Sequence, residues 1–190
     1  MHDELVLTFK KIKDPVEQRK AIFDFVRDIP YSTVTPLTTV GVINERKGSC
    51  LTKTMLLAEL FGELGYKTRH VTLRYRLPDF PKEVSVIPGQ IDYHHALQVL
   101  IEGRWILVDA TYDSPLEKLG FTVNDWDGVH DTNLAHVPLA IKNEGIENAD
   151  FDREFAEWEQ EIEKAERLHP KEFEEYSDKF NEILEEARNE

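Results

Sequence analysis

The feature that most constrains this chain is a pair of alternating apolar runs, 95–101 and 104–111, set around Glu102-Gly103. Alternation at period two is the mark of a half-buried strand, and a Gly-containing turn between two such runs makes them a hairpin. Two side chains able to carry chemistry sit at its open end, His95 at the start of the first run and Asp109 near the end of the second. Whether they meet depends on the turn. A two-residue loop, 102–103, puts them on opposite faces. A three-residue loop, 101–103, with Gly103 left-handed, puts His95 directly opposite Asp109.

The rest of the body reads as helices and strands around that hairpin. Asp14-Pro15-Val16-Glu17 has the cap, the first-turn proline and the acid of a helix start, and Pro30 ends the run. Residues 31–48 hold Pro36, Gly41 and Gly48 without a sustained period and read as a loop. Ser49 caps a second predicted helix over 49–64, with Leu56, Leu57, Leu60, Phe61 and Leu64 on one face and Gly65 at its end. Residues 67–76 alternate as a strand, 78–92 read as a loop, and 112–148 read as irregular. Two further helices are expected at 150–168 and 171–188, parted by His169-Pro170. Phe151, Phe155, Trp158 and Ile162 stripe the first, and Phe173, Tyr176, Phe180 and Ile183 the second.

Charge divides the chain the same way. Of a net −14, residues 141–190 carry −11, so the first 140 residues are nearly balanced. Clustered bases are what phosphate and anionic lipid require, so nucleic acid and membrane surfaces are excluded as partners. We divide the chain into a catalytic domain, 1–148, and an acidic helical extension packed on it, 149–190. The extension either packs as a plain appendage, forms a homodimer interface, or covers the active-site groove.

Cys50 is the lone cysteine, which excludes an intrachain disulfide and fits a reduced, cytoplasmic setting. The N-terminus lacks the basic start and apolar core of a signal peptide, and no apolar run reaches membrane-spanning length. Cys50 stands at a predicted helix start, where negative charge is stabilised and a thiolate is favoured. An imidazole that takes the thiol proton and a carboxylate that fixes its tautomer complete a nucleophilic set: Cys50, His95 and Asp109. His94 is expected on the opposite face or at the loop edge, because neighbours on a strand alternate. His2, His130, His136 and His169 are read as structural or solvent-facing, and His70 as a partly buried strand residue. No histidine pair has metal-ligand spacing.

These blocks resemble those of the transglutaminase-like superfamily. Gly48-Ser49-Cys50, Gly65-Tyr66 and Thr68-Arg69-His70-Val71 resemble its cysteine block. His95-Ala96-Leu97-Gln98-Val99 resembles its histidine block, and Trp105-Ile106-Leu107-Val108-Asp109-Ala110-Thr111 its aspartate block. Tyr31 is similar to a tyrosine often found upstream. The resemblance implies an α+β, papain-like fold, with a nucleophile helix packed on an antiparallel sheet. It implies a cysteine peptidase or amidase acting on a peptide or other amide through an acyl-enzyme, with no cofactor and no metal. In that reading Cys50 attacks, His95 shuttles the proton and Asp109 orients His95. Calcium-dependent relatives place an oxyanion-stabilising tryptophan upstream of the cysteine, whereas Trp105, Trp126 and Trp158 all lie downstream here. The Cys50 N–H is one expected oxyanion donor, and Tyr31 or Asn44 the second. Tyr112 and Trp126 are the expected substrate contacts, or else simple anchors of their loop. Paired CxxC zinc motifs of the superfamily's peptide N-glycanases are excluded by the single cysteine. The alternatives are a catalytically silent binding or scaffold module and an arylamine N-acetyltransferase-like acyl transferase.

Overall fold

A computed structural model of the chain describes residues 2–76, 91–147, 160 and 170–190. Helices α1 (His2–Lys11), α2 (Pro15–Arg27), α3 (Thr39–Glu45) and α4 (Cys50–Glu63) precede strands β1 (Thr68–Arg76), β2 (Ile91–Ile101) and β3 (Arg104–Val108). A short 3-10 helix (Ser114–Leu119), strand β4 (Ala140–Glu147) and helix α5 (Pro170–Asn189) follow. The class is α+β, as expected: an antiparallel sheet in the order β3-β2-β1-β4, flanked by helices.

The helix starts follow from local chemistry. Asp14 accepts from the N–H groups of Val16 and Glu17 ahead of Pro15, satisfying donors that have no helical partner. At α4, Ser49 and Thr52 cap each other reciprocally. Ile22, Phe23 and Val26 of α2 and Leu56, Leu57, Leu60 and Phe61 of α4 then pack on Leu97, Val99, Ile106 and Val108 of the sheet. Each such side chain contributes about 1.5–3 kcal/mol on full burial.

Several expectations are corrected. Residues 39–45 form helix α3 inside the expected loop; Thr38 caps it, but its β-branched and glycine content hides it from a propensity reading. Helix α1 precedes the first expected helix and buries Val6 and Phe9. Strand β2 begins at Ile91, not 95, so His94 lies inside the strand. The irregular 112–148 stretch contains the 3-10 helix and β4. The expected helix 150–168 lies outside the described residues, apart from Gln160. Helix α5 matches the last expected helix in extent, but its buried residues are Phe180, Leu184 and Ala187. Of the expected stripe only Phe180 is buried, while Phe173, Tyr176 and Ile183 are partly exposed, because the stripe follows the face that docks and not the aromatics alone.

The hairpin turn decides the site. Leu97 pairs with Val108 and Ile101 with Arg104, so the loop is Glu102-Gly103 alone. Both turn residues have positive φ, 50° and 79°, the geometry that matches the twist of the flanking strands. Extending this register by one residue puts Asp109 opposite Ala96. His94 shares Ala96's face and His95 does not.

Candidate active site

The structure pairs Asp109 with His94. His94 Nε2 lies 2.7 Å from Asp109 Oδ2, and both side chains are almost wholly buried. The expected partner, His95, is on the other face, where its Nδ1 lies 3.4 Å from Thr72 Oγ1 and its carbonyl accepts from Thr54 of α4. No Cys50–His95–Asp109 arrangement therefore forms. The physical reason is the two-residue turn, since a shift of one residue in register exchanges every side chain between faces.

Asp109 is fixed from several sides. Oδ2 also accepts from the Ala135 N–H at 2.8 Å, and Oδ1 from the Thr111 N–H at 3.2 Å. Its own N–H donates to Thr132 Oγ1, and its carbonyl accepts from the Asn124 amide. Burial opposes the charge on Asp109, but His94 and these donors hold the carboxyl below its ordinary range. None of Asn124, Thr132 or Ala135 carries a sequence signal, because each reaches Asp109 across an irregular loop.

His94 is tuned by the same contacts. Burial alone would depress the imidazole, but Asp109, and after it Cys50, lift it to about 10. Nδ1 of His94 is buried and makes no regular hydrogen bond among the described residues. The Cys50 thiol, only partly buried, lies 4.0 Å from the carbonyl oxygen of Tyr93, the residue before His94. Edge-on to His94, with ring centroids 5.0 Å apart, is His136. His136 also stacks on Tyr75 and shares a 3.0 Å hydrogen bond with the Tyr112 hydroxyl. Burial, then the charge on His94, lowers it to about 3, so this second imidazole is neutral.

Cys50 is the first residue of α4. Because Ser49 and Thr52 use their own N–H groups in the capping box, the N–H groups of Cys50 and Leu51 are the donors left at the helix start. Pro30, Tyr31 and Ser32 run beside the segment that leads into Cys50. Tyr31 and Gly48 form a parallel bridge, Gly48 N–H donates to Pro30 O, and Ser32 N–H donates to Gly48 O. Gly48 is required by closeness: a Cβ there would fall 2.6 Å from Lys53 Cγ. Lys53 is itself buried, and its Nζ donates to the carbonyls of Arg27, Ile29 and Thr111. Burial pushes this ammonium down to about 7.

The remaining expected residues separate clearly. Tyr31 and Tyr112 stand together, ring centroids 4.9 Å apart, in the apolar cluster against which Cys50 packs. Trp126 is instead a core residue between Phe23 and Phe61, its indole N–H donating to His130 O. That packing corrects its reading as a substrate contact. Asn44 is exposed on α3, and an exposed amide is not a preorganised oxyanion donor. Among the described residues there is no group of three or more His, Cys, Asp or Glu that could hold a metal ion. No helix among them is long and apolar enough to cross a membrane.

A cysteine-bearing helix start beside an antiparallel sheet that pairs a histidine with an aspartate defines a papain-like α+β class of fold. The family follows from comparison: the transglutaminase-like superfamily model matches residues 4–110, and the chain belongs to that superfamily. Among solved structures, the chain is similar to a candidate cysteine protease from Cytophaga hutchinsonii. Identity there is 26%, the TM-score 0.45, and the match covers 61% of this chain and 39% of the other. It is also similar to a TGase at 14% identity and TM-score 0.43, covering 80% of this chain and 44% of that one. The chain thus spans less than half the length of either. No curated protein matches it.

Proposed function

We propose that this protein is a thiol acyl-transfer enzyme, a cysteine peptidase or amidase, working through Cys50, His94 and Asp109. The observation that carries the reading is the buried 2.7 Å His94–Asp109 contact, with Cys50 as the other group acting on the same ring. His94 replaces His95 in the role the sequence suggested. Membership of the superfamily supports the chemistry.

The steps balance without a cofactor. The thiol proton rests on His94 Nδ1, whose imidazole is lifted to about 10, and the Cys50 thiolate sulfur forms a bond to the carbonyl carbon. The oxyanion meets the Cys50 N–H at the start of α4. The C–N bond breaks as His94 returns its proton to the leaving amine, which leaves a thioester on Cys50. Water then attacks the thioester, giving its proton to His94, and the acid departs to leave the Cys50 thiolate beside protonated His94, the starting state. Asp109 keeps its proton acceptor position on Nε2 throughout, so that Nδ1 remains the working nitrogen.

Mass spectrometry of the protein after reaction with a p-nitrophenyl ester tests this. An acyl adduct on Cys50 is expected, absent in Cys50→Ala and long-lived in His94→Ala. If no adduct forms on the folded wild-type protein with esters or fluorogenic peptide amides, the proposal is wrong.

A further inference from the structure

The matched family region ends at residue 110, yet the last helix, α5, reaches back to the segment that carries Cys50. Arg188 Nε donates to Asp113 Oδ2 at 2.8 Å and Nη2 to Asp113 Oδ1 at 2.9 Å, a two-pronged pair. The same Nη2 also donates to the Tyr31 carbonyl at 2.8 Å, and the Tyr31 N–H donates to Asp113 Oδ1 at 2.8 Å. Arg188, Asp113 and the Tyr31 backbone thus form a closed ring of charge-assisted bonds. The planar fork of a guanidinium fits this two-pronged pair and the Tyr31 carbonyl together, while Nη1 also donates to Glu185 at 2.6 Å.

Tyr31 is the residue bridged to Gly48, two positions before Cys50. Asp113 lies four positions after Asp109. The ring therefore ties together the two chain segments that bring the nucleophile and the carboxylate. It is largely shielded from solvent, with the Arg188 and Asp113 side chains 11% and 4% exposed, so salt and water weaken it little. Around it, Phe180 packs edge-on to Tyr31, and Leu184 and Ala187 complete the cluster that also receives Cys50.

We infer that Arg188 is a positioning residue for the Cys50 site, holding the Tyr31–Gly48 bridge so that the thiol faces His94, and that α5 is part of the active-site wall. This rests on the proposed thiol chemistry and extends it to a residue 78 positions beyond the matched family region. A second set of contacts supplies the control. Asn181 bonds Ser32 and Thr33 and so docks the same helix without touching Asp113 or Tyr31.

The test is the alkylation rate of Cys50 by iodoacetamide at pH 7 in the full chain. Arg188→Gln, Arg188→Lys, Asp113→Asn and Asn181→Ala are each measured with and without His94→Ala, alongside thermal melts. In the wild-type background, His94→Ala is expected to slow the reaction about tenfold, as loss of a cation that favours the thiolate does. If it does not, the thiol reading fails and the positioning inference falls with it. If it does, Arg188→Gln is expected to slow the reaction to a similar extent and to abolish the further effect of His94→Ala. Arg188→Lys is expected to rescue only partly, and Asn181→Ala to leave the His94 dependence intact even where it lowers Tm. Undiminished His94 dependence in Arg188→Gln would overturn the inference. So would a faster reaction, which would make α5 a cover over the thiol rather than its support. Equal effects of Arg188→Gln and Asn181→Ala, tracking their Tm losses, would reduce the role to general stability.

Discussion

Lys53 Nζ sits 2.6 Å from the carbonyl oxygen of Thr111, joining the helix that begins at Cys50 to the chain two residues beyond Asp109. Its other bonds, to Arg27 and Ile29, close the end of α2. Lys53→Met keeps the length of the stem but leaves three carbonyls, two of them in buried bonds, without this donor. Each unsatisfied buried group costs about 1–3 kcal/mol, so a loss of about 3 kcal/mol or more is expected by urea titration. A loss below about 1 kcal/mol would show that water replaces the ammonium freely.

His94 and His95 are adjacent in sequence and opposite in consequence. His94→Ala should slow Cys50 alkylation while sparing most of the strand. His95→Gln should lower Tm, since the ring is buried beside Thr72, yet leave the alkylation rate within about twofold. Equal slowing by both substitutions would mean that the rate reads strand integrity rather than chemistry.

The turn at Glu102 offers a gain. Glutamate at φ 50° is less favourable than glycine, which has no Cβ, or asparagine, whose short amide can hydrogen-bond locally there. Glu102→Asn should therefore raise stability by about 0.5–1 kcal/mol without altering alkylation of Cys50. An unchanged or lower melting temperature would indicate that the strand pairs, rather than the turn, hold this register.

Acid should destabilise the fold in a defined window. Burial and the charge on His94 keep His95 and His136 neutral, with both lowered to about 3 from 6.5. Between those values the unfolded chain binds more protons, so stability falls as pH drops from about 6.5 towards 3. Asp109, held below 3.8, contributes above that value and loses its contribution as pH falls through its lowered one. His94 contributes fully below 6.5 and loses that contribution as pH rises through about 10, whereas Lys53, lowered to about 7, works in the opposite sense there. Tm measured from pH 7 to pH 4 should decline, and more gently in His136→Gln. A parallel decline in that variant would remove His136 from the account.

Much of this was legible in the linear chain. The cap at Asp14, the capping Ser49 ahead of Cys50, and the alternation on either side of Glu102-Gly103 are local signals, and local signals survive without tertiary context. Helix α3 was not legible, because Thr39, Val40, Gly41 and Val42 have weak helical propensity and the helix is stabilised by burying Val42 and Ile43. Trp126 looked like a loop aromatic near a cleft; only its packing between Phe23 and Phe61 makes it core.

The sequence by itself determined that a lone thiol begins a helix, that a histidine pair and an aspartate lie on one hairpin, and that the chain resembles the transglutaminase-like superfamily. Tertiary structure decided which histidine meets the aspartate. Side-chain parity turns on a single residue of loop length, and both loop lengths are compatible with a glycine at 103. It also decided that Arg188 belongs beside the site, because a pair 75 residues apart forms only when α5 docks and shields its charges from water.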